Sequence, residues 1–258
     1  MENSLSFSIE PATYADVHAL ATIATISMAQ DRQTQLKTLG GVSYTTVAGW
    51  AEGVRWSLKN PKYAFLKAVD SETKEIVGSI SLCFYGFDPK DIPHSDPGEE
   101  PVLPERDAQQ ESDARTEADE EAQRAIVKID EMEGADMQRW QKILMPEGSK
   151  CIIITGLSVH PSFRRRGIGN ALVNWGTSRA DAHGVYMWVH SSEGAYRLYA
   201  KTGFDVVGTL DVDLDDYAPF PPKDEGEDAK WGHYLIRYMK RLPRAGETEA
   251  PPSQLREP

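Results

Sequence analysis

Cys151-Ile152-Ile153-Ile154-Thr155-Gly156-Leu157-Ser158-Val159-His160-Pro161, followed closely by Arg164-Arg165-Arg166-Gly167-Ile168-Gly169-Asn170, is the stretch whose reading decides the fold. The first run is β-branched or bulky and too short for a helix before Pro161, so it predicts a buried strand. A helical pattern then runs from Asn170 to about Ala182. A strand, a basic glycine-containing turn and a helix N-terminus in succession form an anion site. The first helical N–H groups lack intrahelical acceptors, and the helix dipole favours negative charge there. Glycine at 167 and 169 lets a phosphate approach the backbone with no Cβ in the way. Two common phosphate loops are excluded. A P-loop would end in Gly-Lys-Ser/Thr, and a dinucleotide fingerprint would need glycine where Leu172 stands.

Downstream, Gly184 closes the helix and Val185-Tyr186-Met187-Trp188-Val189-His190 reads as a second strand. Ser191-Ser192-Glu193-Gly194 makes a turn, and a short helix begins at Ala195. It runs into Leu198-Tyr199-Ala200-Lys201-Thr202-Gly203-Phe204, with Gly203 suited to a left-handed helix end. The two motifs together resemble the GCN5-related N-acetyltransferase (GNAT) superfamily. Arg164, Gly167 and Gly169 occupy the defining positions of its acetyl-CoA loop, Q/R-x-x-G-x-G/A, and L-Y-x-K-x-G-F is its second hallmark, at the expected distance. The resemblance covers roughly residues 5–95 and 140–240 and is specific within 151–204.

The fold this resemblance implies is α/β (α+β): a central mixed, mostly antiparallel twisted sheet of six to seven strands flanked by helices. The rest of the chain is read in that frame. Leu5–Ile9 alternates as a half-exposed first strand, and a helix from about Tyr14 to Ala29 carries Val17, Leu20 and Ile23 on one face. A helix around Val47–Leu58 carries Trp50 and Trp56, which are expected in the core. Tyr63–Val69 and Glu75–Phe84 form a hairpin about the polar turn Asp70–Lys74. Asp205–Val212 and Trp231–Lys240 supply the last strands. These elements form one domain over 1–242. An acidic insertion at about 88–148 precedes the central strand; it is expected to be partly disordered over 96–133, with a helix at about 136–145 beside the acceptor pocket. The Pro-rich segment 243–258 is expected to be a disordered tail.

The 258 residues carry a net charge of −12, which argues against general nucleic-acid binding. From Asp96 to Asp136 there are 15 acidic and 4 basic residues, so that segment holds 11 of the net negative charges and the arginine triplet stands out elsewhere. No apolar run is long enough to span a membrane, and no leader is recognisable. Cys83 and Cys151 fall in predicted strands and read as buried reduced thiols, with no zinc spacing, which suits a cytoplasmic protein.

The resemblance also implies chemistry: acetyl passes from acetyl-CoA directly to the amino group of an acceptor, here expected to be a small molecule, with no metal. Backbone amides of Arg165, Arg166, Gly167, Ile168, Gly169 and Asn170 would bind the pyrophosphate, and the arginine side chains, Arg164 included, would add to the attraction. Leu157, Ser158 and Val159 would pair with the pantetheine arm as an added strand, an amide near Leu157 polarising the thioester carbonyl. Ser192 stands where family members often carry Asn. Tyr199 would protonate the departing thiolate, and Tyr196 is assigned to the core. The central strand lacks a carboxylate, so His160, His190, a water chain and an acid from the insertion all remain open as acceptors of the amine proton. A CoA-binding regulatory module without turnover, and transfer to protein or peptide amines, are the alternatives.

Overall fold

The computed structural model describes residues 6–39, 45–101, 117–223 and 225–244. Seven strands form one sheet: β1 (Phe7–Pro11), β2 (Tyr63–Asp70), β3 (Ile76–Tyr85), β4 (Cys151–Val159), β5 (Tyr186–Ser191), β6 (Asp205–Asp213) and β7 (His233–Arg241). Their order is β1-β2-β3-β4-β5-β7-β6, and every pairing is antiparallel except β4 with β5. This is the mixed, mostly antiparallel sheet expected from the sequence. The β2–β3 turn closes as its polar residues dictate. The Asp70 carboxylate accepts from the amides of Glu72 (3.0 Å) and Thr73 (2.9 Å), and Lys74 takes the left-handed conformation (φ 61°).

Strand alternation assigns the two faces. Ile152 and Ile154 of β4, with Met187 and Val189 of β5, pack beneath α5 (Ile168–Ala182) through Ile168, Leu172 and Val173. Cys151 and Ile153 face the other way and join Trp188 and Tyr238. On that second face, α1 (Val17–Met28) and α3 (Val47–Lys59) bury Val17, Leu20, Val54 and Leu58 over the β2–β3 side. A short α2 (Arg32–Thr38), unread in the sequence, follows α1, and α6 (Tyr196–Lys201) precedes β6.

Within the insertion, expected to be partly disordered over 96–133 with a helix only at about 136–145, the helix starts much earlier. Residues 117–144 form one continuous helix, α4 (Glu117–Leu144). Ala122, Ile126 and Ile129 recur at helical spacing and are fully buried, the two isoleucines against Val212, Leu214, Tyr234 and Ile236. Glu120, Glu121 and Glu131 are exposed on the outward face, and the abundance of acids lowered the mean hydropathy and hid the stripe. The helix covers the part of the sheet formed by β5, β7 and β6. Lys37 of α2 fastens it, reaching Asp130 at 2.8 Å and Glu133 at 2.7 Å. The expected tail over 243–258 lies outside the described residues from 245 onward, as does 102–116 of the insertion.

One irregularity positions everything that follows. Ser81 of β3 faces Gly156, while Leu82 faces Ile154, so Thr155 is the extra residue of a bulge in β4. The β4–β5 ladder covers only Cys151–Ile154. Beyond the bulge, β4 stays with β3 and leaves β5, since a bulge bends its strand and increases the local twist.

Candidate active site

The parting of β4 and β5 opens a cleft of about 310 Å3. Leu157 and Val159 form its floor on the strand edge that β5 has left. Arg164, Arg165 and Gly167 of the loop and Ile168, Gly169 and Asn170 of α5 make one wall. Ser192, Gly194, Ala195 and Leu198 make the opposite wall, and Ser27 and Met28 at the end of α1 close a third side.

The loop's conformation follows from its glycines and its strain. Gly167 is the N-cap of α5 at φ 86°, a value costly for any residue with a Cβ, and Arg165 is also left-handed at φ 64°. The first helical bond to Gly167 comes from the amide of Ala171 at 3.0 Å. The amides of Ile168, Gly169 and Asn170 therefore have no intrahelical acceptor and face the cleft end of α5. A Cβ on Gly169 would meet Leu198 Cδ2 at 3.0 Å, so glycine here keeps α5 and the Leu198 wall close.

The three arginines do different things. Arg164, on the cleft wall, donates to the Ser27 carbonyl at 2.7 Å, tying the loop to α1. Arg165 is exposed on the cleft wall. Arg166 lies with its guanidinium 4.7 Å from the Phe163 ring centre and does not line the cleft.

Of the other residues singled out from the sequence, Leu157, Val159, Ile168, Asn170 and Ser192 line the cleft. Ser158 faces a different cavity. Tyr199 lines neither. It is 3% exposed, its ring 5.7 Å from that of Phe204, while its neighbour Leu198 reaches the cleft. Burial pushes its phenol well above the ordinary value, so it is fully protonated at neutral pH. Tyr196, assigned to the core, is only half-buried: Arg237 sits 4.2 Å over its ring and Arg197 Nε donates to its hydroxyl at 3.5 Å.

Behind the floor lies a second cavity of about 240 Å3, on the α1–α3 face. Leu20 and Val54 meet Trp50, Trp56, Tyr63 and Phe65 there, above the hydroxyls of Ser79, Ser81 and Thr155. Trp56, expected in the core, is 57% exposed at its rim. Leu157 lines both cavities, so they adjoin at a residue just beyond the bulge where β4 leaves β5. The aromatic wall was missed because its members come from α3 and β2, and only the packing of that helix against the strand brings them together.

Neither histidine considered for proton transfer lines either cavity. His160 caps the turn after β4, its Nδ1 accepting from the Ser162 amide at 3.2 Å. His190 is buried beneath α4 with its ring 5.1 Å from that of Tyr238, and burial pushes it down to about 4 despite the nearby Asp136. Among the described residues, no group of three or more His, Cys, Asp or Glu side chains is placed to hold a metal ion.

Residues 104–204 match the model of the Acetyltransferase (GNAT) family. That stretch belongs to the GNAT acetyltransferase family. The seven-stranded, mostly antiparallel sheet with helices on both faces is the GNAT fold. No curated protein matches the chain in sequence. Among solved structures it is similar to the ribosomal-protein-S18-alanine N-acetyltransferase from Escherichia coli, at 13% identity over 95% of this chain and 99% of that one, with a TM-score of 0.47. It is also similar to a GNAT superfamily phosphinothricin acetyltransferase from Sinorhizobium meliloti in complex with AcCoA (15% identity, 96% and 94% of the chains, TM-score 0.48). A third is Arabidopsis thaliana NAA60 in complex with a bisubstrate analogue (14%, 93% and 99%, 0.48). Cys83 and Cys151 are both free and buried, and among the described residues no helix is long and apolar enough to cross a membrane.

Proposed function

We propose that the protein is a cytoplasmic acetyl-CoA-dependent N-acetyltransferase that transfers acetyl directly to the amino group of a small molecule. The observation that carries this reading is the meeting of the two cavities at Leu157. One cavity has the features a CoA thioester needs: free helix amides for the pyrophosphate and an unpaired strand edge for the amides of the pantetheine arm. The other is closed enough for a small acceptor, and its floor reaches the same strand position. Two buried thiols held reduced are in keeping with a cytoplasmic setting.

In the reaction, the neutral amine attacks the thioester carbonyl carbon, forming a C–N bond while the carbonyl oxygen takes the negative charge. An amide at Leu157 stabilises that oxygen, a contribution of about 3 kcal/mol. The C–S bond then breaks, the nitrogen loses its proton to water, and the sulfur takes a proton. Tyr199 is our candidate donor: its buried phenol stays protonated, and the turn that carries it also supplies Leu198 to the cleft. Ser192, on the opposite wall from the loop, is assigned to coenzyme binding with the loop residues.

Titration calorimetry with acetyl-CoA, followed by a thiol-release screen over amines, tests the whole reading; no binding would refute it. One observation favours a second reading, a CoA-binding module without turnover: Tyr199 is 3% exposed and lines neither cavity. Tyr199→Phe separates the two. Under the transferase reading kcat falls by about 100-fold or more with acetyl-CoA affinity unchanged; an unchanged kcat removes Tyr199 as the acid.

A further inference from the structure

We infer that the acceptor is a primary amine with an aromatic, uncharged body: no carboxylate, no phosphate and no second ammonium. The inference rests on the transferase reading and adds the substrate class. Three features of the second cavity carry it. First, its lining contains no Asp, Glu, Lys, Arg or His among the described residues. A charged group on the acceptor would lose its water there and find no side chain of opposite charge in compensation, which is unfavourable. An amino acid, a nucleotide or a polyamine is disfavoured on that ground alone.

Second, the walls are aromatic. Trp50, Trp56, Tyr63 and Phe65 surround the space, and Trp56 meets Tyr63 edge-on with ring centres 5.1 Å apart. A third ring enters such a corner in an offset or edge-to-face arrangement, which rewards an aromatic body over an aliphatic one of equal area. The volume suits this. A void of about 150 Å3 accepts a benzene ring, and the cavity's 240 Å3 leaves room for a short aminoalkyl arm.

Third, a row of hydroxyls lines the floor. Thr155 Oγ1 donates to Ser81 Oγ at 2.9 Å, and Ser79 lies one pleat further along β3, both serines being buried. These hydroxyls sit on the β3–β4 floor that also includes Leu157. An amine whose ring occupies the aromatic corner has its nitrogen directed to this row. The hydroxyl oxygens accept its N–H bonds, leaving the lone pair for the thioester at Leu157.

The test is acetyl-CoA turnover by thiol release, with 2-phenylethylamine as the probe against phenylalanine, spermidine and a short peptide with a free N-terminus. We expect kcat/KM for 2-phenylethylamine to exceed that for phenylalanine, which differs by one carboxylate, by about 100-fold. Trp56→Ala, at an exposed site where folding is not at stake, raises KM for 2-phenylethylamine about tenfold and leaves acetyl-CoA affinity by calorimetry unchanged. Faster turnover of phenylalanine, spermidine or the peptide overturns the inference and leaves the transferase reading standing. If acetyl-CoA binds and no amine is acetylated, the transferase reading fails. The cavity is then judged by tryptophan fluorescence: saturable quenching by 2-phenylethylamine that is lost in Trp56→Ala supports the ligand class, and no quenching overturns it.

Discussion

His190 shows how one side chain's surroundings become a property of the whole protein. Its Nε2 is buried without a hydrogen-bond partner, and burial pushes it from an ordinary 6.5 down to about 4. The unfolded chain therefore takes up this proton near pH 6.5 and the folded chain only near pH 4. Between those values the unfolded state binds more protons, so stability falls as the pH drops. The size is about 2 kcal/mol between pH 7 and pH 5. His190→Phe retains the ring against Tyr238 and removes the titration, so urea unfolding at pH 7 and pH 5 should show the parent losing this amount and the variant losing almost none. An equal loss in both would mean that His190 is protonated in the folded state. At the residue scale the sequence was legible where chemistry restricts the choice. Gly167 and Gly169 were identifiable because a left-handed turn and a helix start packed on Leu198 admit few alternatives. Gly208 was not, although a Cβ there would land inside the Trp140 ring, because that ring arrives from α4, far away in the chain.

Among the elements, α5 has to hold its N-terminal amides at the cleft, and its far end is where it is anchored. Asp181 in its last turn receives two bonds of 2.7 Å from Arg241 of β7, and a third, of 2.8 Å, from the Arg244 amide. Burial works against the Asp181 charge, but Arg241 and the amide outweigh it and hold the carboxyl below its usual range. Arg241 is 4% exposed, so removing its partner leaves a buried guanidinium uncompensated. Asp181→Asn should cost about 3 kcal/mol at pH 7. Because the folded pKa is depressed, this contribution is present above the ordinary value of 3.8 and is lost as the pH falls below it, so parent and variant should converge in acid. A constant difference at every pH would point to packing in place of charge. Strands and helices were legible in the chain because their periodicities are local: β4, α5, β5 and α3 lie within two residues of where the pattern puts them. The bulge at Thr155 was not legible, since it exists only in the register between β3 and β4, and it is the bulge that separates β4 from β5.

On the scale of the whole molecule, the segment with most of the negative charge is also a structural half of the sheet's cover. Its composition pointed to a solvated excursion because acids dominate the average; folding depends on the stripe Ala122, Ile126, Ile129, which is fully buried, its isoleucines on β6 and β7. Two arrangements make different predictions. A helix appended as a lid would open on its own, and damage to its inner face would appear as a separate low-temperature transition. A helix sharing one core with the sheet has no independent transition, since Ile126 and Ile129 touch the same cluster as Val212, Tyr234 and Ile236. We expect the second. Ile126→Ala and Ile129→Ala should each lower global stability by about 2–5 kcal/mol, with circular dichroism and tryptophan fluorescence reporting one coincident transition. Acetyl-CoA affinity should hold below that transition, because the cleft is lined by α1, β4, α5 and the β5–α6 segment and not by α4. An early melting phase in the helical signal, accompanied by a change in the fluorescence of Trp140 as it leaves Tyr238 and preceding the global transition, would make α4 a detachable lid.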